Sequence, residues 1–221
     1  MLNQTIITQL QAIVGDIRVK TDADSLKTWG CDWTKHYTPA ASAIVFPATT
    51  EEVQAIVQLA NQENIVLVPS GGRTGLSAGA VAANGEVVIS FDRMNKVVEF
   101  YPADRMVRVQ AGMVTEQLQQ FADEHDLYYP VDFASAGSSQ IGGNIGTNAG
   151  GIKVIRYGMT RAWVLGLTVV TGKGDILHLN KGMMKNATGY DLRHLFIGAE
   201  GTLGFVTEAE IKLERKPRDL R

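Results

Sequence analysis

The sequence predicts an α+β protein made of two α/β subdomains, the first small and parallel and the second mainly antiparallel. Two observations indicate this class. Between residues 43 and 68, two short apolar runs flank an amphipathic segment, which is the pattern of a strand–helix–strand unit with parallel strands. After residue 102, apolar and polar residues alternate in several short runs separated by glycine-rich turns, which is typical of antiparallel sheets.

The first predicted subdomain covers residues 1–101. Helices are indicated at the start of the chain, where Asn3 is suited to the cap position, and after Thr49, which has capping-box spacing with Glu52. Short apolar runs predict buried strands at residues 43–47, 65–68 and 86–91. Residues 22–39 show no clear hydrophobic period, so neither a helix nor a strand is predicted there.

The second predicted subdomain covers residues 102–213. Thr115 is predicted to cap a helix that runs to about residue 126, and residues 172–175 predict the turn of a β-hairpin. A further short helix is predicted at residues 191–196. The predicted strands are residues 106–110, 163–171, 176–179 and 205–213. The polar residues 214–221 are predicted to be a linker.

A glycine-rich loop follows the second predicted strand. Glycines at the carboxyl end of a buried strand let successive amide N–H groups converge, which favours a phosphate or pyrophosphate; the alternative is a surface turn. The loop is neither a P-loop nor a Rossmann fingerprint, since the sequence has no Gly-Lys-Ser/Thr and no helix is predicted to follow. Arg73 adds positive charge. The residues assigned to this site are Pro69, Ser70, Gly71, Gly72, Arg73, Thr74, Gly75, Leu76 and Ser77.

A second glycine-rich stretch, residues 137–151, holds six glycines and predicts no ordinary element. Ile141 and Ile145 indicate that one side is buried. The asparagine amides suit a heteroaromatic ring with polar edges, and the alternative is a glycine-rich turn that permits tight packing. The residues assigned to a ligand are Gly137, Ser138, Ile141, Gly142, Gly143, Asn144, Asn148, Ala149, Gly150 and Gly151.

Two later motifs, Asn-Ala-Thr-Gly-Tyr-Asp-Leu at residues 186–192 and Phe-Ile-Gly-Ala-Glu-Gly-Thr-Leu-Gly at residues 196–204, complete a recognisable set. Together with the two loops, they resemble the FAD-binding (PCMH-type) domain of the vanillyl-alcohol oxidase-like flavoproteins. The resemblance is strongest to the branch that contains D-lactate, glycolate and D-2-hydroxyglutarate dehydrogenases. It covers residues from about 40 to 215.

The resemblance implies that FAD lies between the two subdomains. It implies that the first loop wraps the pyrophosphate. It also implies that the second glycine-rich stretch lies along the phosphates, the ribityl chain and the ring. It further implies that Gly204 and Val206 hold the adenosine end through backbone contacts. Members of this family with covalently bound flavin carry a histidine in the first loop, where this chain has Arg73 and Thr74, so we expect FAD to be bound noncovalently.

The implied function is oxidation of a D-2-hydroxy acid to a 2-oxo acid by hydride transfer to the flavin. Members of the family are about twice as long, and their second half holds the substrate, so the chain is expected to be an N-terminal part that is inactive alone. The catalytic residues and the electron acceptor stay unknown. The alternatives are an electron-transfer subunit of a complex such as glycolate oxidase, or another flavoenzyme on this scaffold, such as a cell-wall sugar reductase or an aryl-alcohol oxidase.

Composition excludes several other classes. A net charge of −2 does not suggest a nucleic-acid partner, and no apolar run is long enough to span a membrane. A lone cysteine, Cys31, and four scattered histidines predict neither a disulfide nor a metal site. Because the sequence shows no signal-peptide pattern, we expect a cytoplasmic protein.

A basic cluster could face an anionic substrate or be solvated surface; its members are Lys181, Lys185, Arg193 and His194.

Overall fold

The computed structural model describes residues 2–34 and 36–217, and this part of the chain forms two main sheets and one two-stranded ribbon. The first sheet has four strands and is mostly parallel, whereas the second has five strands and is entirely antiparallel. Both sheets carry helices. The predicted α+β class, with a parallel first half and an antiparallel second half, is confirmed.

The elements are as follows. The helices are α1 (Gln4–Val14), α2 (Ala23–Trp29), α3 (Thr50–Glu63), α4 (Thr115–Glu124), α5 (Ile141–Thr147), α6 (Val154–Tyr157) and α7 (Arg193–Phe196). The strands are β1 (Val19–Lys20), β2 (Ala43–Val45), β3 (Leu67–Ser70), β4 (Val87–Ser90), β5 (Val97–Tyr101), β6 (Met106–Gln110), β7 (Leu127–Tyr128), β8 (Val164–Thr171), β9 (Ile176–Leu179), β10 (Gly204–Lys212) and β11 (Glu214–Arg215).

The first sheet has the order β1-β2-β4-β3, with the last three strands parallel and β1 antiparallel at the edge. Strand β2, helix α3 and strand β3 form the predicted strand–helix–strand unit. Helices α1 and α3 cover one face of the sheet, where Leu10, Val53 and Ile56 are fully buried. Helix α2, which the sequence did not predict, contributes Leu26 and Trp29 to the cluster on the other face. Burial on both faces explains why β2 and β4 are continuous apolar runs.

Helix α3 begins at the predicted cap. The Thr49 hydroxyl accepts a hydrogen bond from the Glu52 amide at 3.1 Å, and Thr49 itself is extended. The Glu52 carboxylate does not return to the Thr49 amide as a capping box would require. It accepts from the Ala48 amide and forms a bidentate pair with Arg18, both nitrogens lying 2.7 Å from a carboxylate oxygen. Glu52 therefore ties α3 to the turn that precedes β1.

Removing the cap should measurably weaken the fold. We expect Thr49→Ala to lower the free energy of unfolding by about 1 kcal/mol, because the amide of Glu52 loses its acceptor at the helix end. Urea unfolding followed by circular dichroism would measure the change. Thr49→Ser keeps an oxygen at the same position and should stay within a few tenths of a kcal/mol of the parent. Equal losses in both variants would contradict the assignment of the cap.

The second sheet has the order β5-β6-β10-β8-β9. Its central strand β10 alternates as predicted, with Phe205, Thr207, Ala209 and Ile211 buried. Helices α4 and α5 supply Leu118, Ala122, Ile141 and Ile145 to the same core. The hairpin predicted around residues 172–175 is confirmed, because β8 and β9 pair in antiparallel register across that turn.

Three predictions of local structure need correction. The chain changes sheet before Val97, not at residue 101, because β5 pairs with β6 in a hairpin that belongs wholly to the second sheet. Thr115 is the first helical residue rather than the cap, and its hydroxyl bonds to Ser139 instead. The predicted linker is partly structured, since β11 pairs with β7 and Lys216 pairs with Asp123. Residues 218–221 of that linker lie outside the described residues.

Candidate functional site

A cleft of about 570 Å³ lies where the two sheets meet. Three segments form its walls: the loop after β3, the region from residue 135 to residue 150 that includes α5, and residues 200–206 at the start of β10. Phe91 and Ala111, which follow β4 and β6, are also part of the lining. The cleft is therefore built at the ends of strands from both sheets, where loops can reach a ligand without breaking either core.

The first loop leaves β3 with its backbone amides free. The last strand residue, Ser70, is fully buried, and its carbonyl accepts from the Phe91 amide. Within the described chain, no hydrogen bond uses the amide N–H groups of residues 71–77; the next amide, that of Ala78, donates to Asp32. Arg73 has a left-handed backbone, with φ of 57°. A run of unengaged amides beside the cleft is the arrangement expected of an anion-binding loop.

The second glycine stretch contains a helix, contrary to the prediction of an irregular loop. Residues Ile141–Thr147 form α5, which begins with the amides of Ile141 and Gly142 donating to the carbonyls of Met113 and Ala111. An added Cβ on Gly142 would lie 2.7 Å from the Ala111 Cβ, so the glycine allows this close approach. The helix ends at Asn148, which is left-handed with φ of 47°. Tertiary packing thus overrides the weak helix propensity of glycine.

The two glycine-rich segments touch each other directly. An added Cβ on Gly72 would collide with the backbone carbonyl of Ser138 and lie 2.8 Å from the Ser139 Cα. Behind this contact is a buried polar network in which Thr115 bonds to Ser139, and the Asn144 amide donates to Thr115 at 2.7 Å. The network fixes the second segment, and the glycine contact sets the first segment against it.

Most predicted ligand residues line the cleft, and six do not. Those in the lining are Pro69, Gly71, Gly72, Arg73, Thr74, Gly75, Leu76, Ser77, Gly142, Gly143, Asn144, Ala149, Gly150, Gly204 and Val206. Those outside it are Ser70, Gly137, Ser138, Ile141, Asn148 and Gly151. Several of these have structural roles instead: Ile141 is core, the Asn148 side chain accepts from the Arg161 amide, and Gly151 is crowded against the Asp132 carbonyl.

The sequence reasoning missed other residues of the lining. They are Gly79, Ala80, Phe91, Ala111, Phe133, Ser135, Gln140, Gly146, Thr147, Phe196, Glu200, Gly201 and Phe205. Some lie inside motifs already singled out, and for these the glycine pattern was a sufficient signal. Of the four phenylalanines, Phe196 lies in such a motif. The other three and Ala111 come from strand ends and connections, where nothing in the local sequence distinguishes a residue of the cleft from a residue of the core.

Arg73 brings positive charge to the cleft, but that charge is partly paired. Its guanidinium donates to the Gly71 carbonyl at 2.8 Å, lies 3.6 Å from the Asp92 carboxylate and rests 5.7 Å from the centre of the Trp29 ring. Glu200, which also lines the cleft, is acidic. Attraction for an anion therefore comes from the amides of the first loop together with Arg73, rather than from a large basic surface.

Gln140 and Gly143 differ in how they face the cleft. The Gln140 Oε1 atom is buried and has no hydrogen-bond partner among the described residues, although Gln140 is in the lining. Protein atoms enclose it, since an added Cβ on Gly71 would lie 3.4 Å from this oxygen. An added Cβ on Gly143 would meet no atom within 4 Å, which shows open space directly beside α5.

Two of the four residues of the predicted basic cluster, Arg193 and His194, bond within the protein. Arg193 pairs with Asp191 and donates to the Val164 carbonyl at 2.7 Å, and this hydrogen-bonded arginine lowers the pKa of Asp191. His194 Nδ1 lies 2.6 Å from the Arg161 guanidinium, which also donates to the Ile197 carbonyl. These bonds hold the segment at residues 191–197 against the rest of the second subdomain, which favours a structural role for Arg193 and His194.

Taken together, these observations define a domain in which an amide-rich loop and a glycine-rich helix line a cleft between two sheets, an arrangement suited to an extended, phosphate-bearing ligand. The chain belongs to the FAD binding domain family, whose model matches residues 41–180. The resemblance inferred from the four motifs is confirmed, and the ligand of this domain is FAD.

Curated relatives extend this result. The chain is 68% identical over 220 residues to the D-2-hydroxyglutarate dehydrogenase of Stutzerimonas stutzeri, covering 100% of this chain and 47% of the relative. It is 42% identical over 201 residues to the mitochondrial D-2-hydroxyglutarate dehydrogenase of Danio rerio, covering 91% of this chain and 38% of the relative. The chain therefore spans less than half the length of these relatives.

Solved structures share the fold. An alkyldihydroxyacetonephosphate synthase superposes with a TM-score of 0.87 at 25% identity, covering 99% of this chain and 42% of that one. A p-cresol methylhydroxylase with substrate bound superposes with a TM-score of 0.82 at 22% identity, covering 98% and 44% of the two chains. In residues 2–34 and 36–217, no helix has both the length and the apolar character needed to cross a membrane.

Proposed function

We propose that the chain holds FAD noncovalently and serves as the flavin-binding part of an oxidoreductase that oxidises a D-2-hydroxy acid, with D-2-hydroxyglutarate as the first candidate. The observation that carries this proposal is the run of free amides at residues 71–77 beside a cleft whose other wall is a glycine-rich helix. The names of the curated relatives support the choice of substrate.

The residues of the cleft divide by chemistry. The amides of the first loop and Arg73 suit the pyrophosphate, because they supply donors and positive charge. The open space beside Gly143 leaves room for a flat or extended group. Gly204 and Val206, which also line the cleft, suit the adenosine end. When bound, the flavin supplies the acceptor chemistry for a two-electron oxidation, and the protein supplies its position.

Noncovalent binding is supported by the side chains present. A covalent link to a flavin needs a nucleophilic side chain such as histidine, cysteine or tyrosine. Among the described residues, none that lines the cleft is of these types. The cysteine thiol, that of Cys31, donates to the Thr28 carbonyl.

The cofactor proposal predicts a preference for FAD over FMN and release of the flavin on denaturation. FMN has one phosphate and no adenosine, so it leaves part of the amide run and the region of Gly204 without a partner. We expect FAD to bind at least about tenfold more tightly, a difference of about 1.4 kcal/mol, in a fluorescence titration. Acid precipitation of FAD-loaded chain should leave the yellow colour in the supernatant. Equal affinities would contradict the role of the adenosine end, and a yellow pellet would contradict noncovalent binding.

The substrate proposal needs a protein of the relatives' length, because the chain spans 47% of the Stutzerimonas stutzeri relative. At 68% identity, a chimera that joins this chain to the remaining part of that relative is a direct test. Anaerobic addition of D-2-hydroxyglutarate should bleach the flavin band of the chimera, whereas the L enantiomer should leave it unchanged. Bleaching by both enantiomers or by neither would contradict the proposed substrate class.

We also propose a cytoplasmic location, which the cysteine content supports: the chain has one cysteine, and Cys31 is free. Fractionation of a bacterial host that expresses the tagged chain, followed by immunoblotting, would test this. Recovery in the periplasmic fraction would contradict it.

A further inference from the structure

The first glycine loop rests on the turn that follows α2. This turn, residues 31–34, reaches the loop at two points: the Trp33 amide donates to the Gly75 carbonyl at 3.3 Å, and Oδ2 of Asp32 accepts from the Ala78 amide at 2.9 Å. Asp32 is 3% exposed, so its contact with the loop is buried. Because the loop amides that precede Ala78 make no hydrogen bond within the described chain, the turn supplies contacts that the loop does not make by itself.

The residue that Asp32 holds has an unfavourable backbone conformation. Ala78 has a φ of 64°, in the left-handed region, where the Cβ atom of an L-residue crowds the following carbonyl oxygen. Residues in such strained conformations persist only where the surrounding structure fixes them, and they cluster at sites that bind ligands. The residues on either side, Ser77 and Gly79, line the cleft. The bond from Asp32 therefore holds strained backbone in place directly beside the cleft.

A second pair of hydrogen bonds fixes the direction of the Asp32 side chain. Its Oδ1 accepts from the Thr34 amide at 3.0 Å and from the Thr34 hydroxyl at 2.7 Å. Both donors lie two residues further along the chain, so they close a local turn around this oxygen. With Oδ1 held in this way, Oδ2 is left to the loop. A carboxylate suits this position because both of its oxygens accept hydrogen bonds.

We propose that Asp32 is a positioning residue for the cofactor, which holds Ala78 in its left-handed conformation and so keeps the free amides of the first loop in one arrangement before the pyrophosphate binds. This inference rests on the proposed FAD site. A loop that is already ordered loses less conformational freedom when its ligand binds, so its affinity is higher than that of a loose loop with the same amides.

Asp32→Asn should separate the two functions of the carboxylate. Asparagine has one oxygen, and Thr34 offers it two donors, so the oxygen stays with Thr34 and the NH₂ group faces the Ala78 amide. Two donors then face each other, and the strained backbone of Ala78 loses its support. We expect the affinity for FAD to fall by about tenfold.

The loss should depend on the strain at Ala78. Glycine adopts a left-handed conformation without the steric cost that alanine carries. In the Ala78→Gly background, the loop can therefore keep its arrangement when the bond from Asp32 is missing. We expect Asp32→Asn to lower the affinity for FAD by no more than about threefold in this background. A role of Asp32 in general stability would give the same loss in both backgrounds.

Thr34→Val is the matched control. It removes the hydroxyl that donates to Oδ1 of Asp32, but it keeps the Thr34 amide and the bond from Ala78. We expect this variant to bind FAD within about threefold of the parent. A loss equal to that of Asp32→Asn would mean that the shape of the turn, and not its bond to the loop, controls binding, and it would overturn the inference.

The experiment is a fluorescence titration of FAD into the parent, the three single variants and the double variant Asp32→Asn/Ala78→Gly. Thermal unfolding of each protein without flavin shows that it is folded at the temperature of the titration. A tenfold loss in Asp32→Asn that shrinks in the Ala78→Gly background supports the inference. Binding of Asp32→Asn like the parent, or equal losses in both backgrounds, would overturn it and leave the FAD site intact.

Hydrogen exchange in the flavin-free parent tests the same bond without any substitution. By NMR, the Ala78 amide should exchange at least about tenfold more slowly than the amides of residues 74–77, which are free. Equal rates would overturn the inference even if Asp32→Asn failed to fold. Failure of the parent to bind FAD would overturn the proposed function, and with it this inference, so the two failures are distinguishable.

Discussion

Gly143→Leu should abolish detectable FAD binding while leaving the protein folded. The position lies on α5 and lines the cleft, and an added Cβ would meet no atom within 4 Å. The leucine side chain would therefore extend into the space that the ligand needs without displacing the protein. We expect the affinity for FAD to fall by about 100-fold or more, which is the effect of forcing a bulky group into an occupied site.

The same change should not weaken the fold. Glycine is a poor helix former, so its replacement by leucine within α5 favours the helix by about 0.5–1 kcal/mol. Loss of binding would then accompany equal or greater stability, a combination that general damage to the protein cannot produce. Isothermal titration and urea unfolding on the same sample would measure both quantities.

Gly172→Leu is the matched control. Gly172 is also exposed and has no atom within 4 Å of an added Cβ, but it lies in the turn between β8 and β9, outside the cleft lining. We expect this variant to bind FAD as the parent does. If Gly143→Leu bound FAD normally, or if both variants lost binding equally, the wall formed by α5 could not be part of the FAD site.

Gly72→Ala should reduce both stability and FAD affinity. From the sequence, a side chain at Gly72 is expected to fill space that the phosphates need. The structure gives a different reason, because the added Cβ would point into the backbone of Ser138 and Ser139 rather than into the cleft. Backbone cannot move aside as a flexible side chain can, so the two glycine-rich segments must separate. We expect a loss of about 1–3 kcal/mol in the free energy of unfolding.

The loss of affinity follows from the same displacement. Separating the segments moves the free amides of the first loop away from Gln140 and α5, so one ligand can no longer reach both walls. We expect FAD affinity to fall by at least about tenfold. Gly75→Ala adds the same methyl group to the same loop with no atom within 4 Å, and its stability should match the parent. An unchanged unfolding midpoint in Gly72→Ala would show that the two segments do not touch in solution.

The elements with a strong hydrophobic period were predictable from the sequence. The alternation of β10, the buried runs of β2 and β4 and the Thr49 cap each depend on residues adjacent in the chain. That both glycine-rich segments line a cleft was predictable for a similar reason. Clustered glycine beside a buried strand indicates backbone that must turn sharply or approach a ligand, whatever the remaining fold.

The tertiary structure alone decided what a side chain at each glycine position would meet. Gly72, Gly142 and Gly143 lie in similar local sequence, yet one contacts backbone, one contacts Ala111 and one faces open space. Long-range contacts also produced α5, because the amides at its start donate to residues about 30 positions earlier in the chain. The local sequence contains no information about these partners.

The pairing of Asp92 with Gln140 depends on tertiary structure in the same way. The two residues are 48 positions apart, and neither belongs to a pattern that suggests a partner. Only when the two sheets meet does a carboxylate that follows β4 come within hydrogen-bond distance of the residue that begins α5. The sequence by itself indicated a flavin-binding domain and the segments that line its cleft. The tertiary structure decided which polar atoms of those segments pair within the protein, because hydrogen-bond partners are set by neighbours in space rather than along the chain.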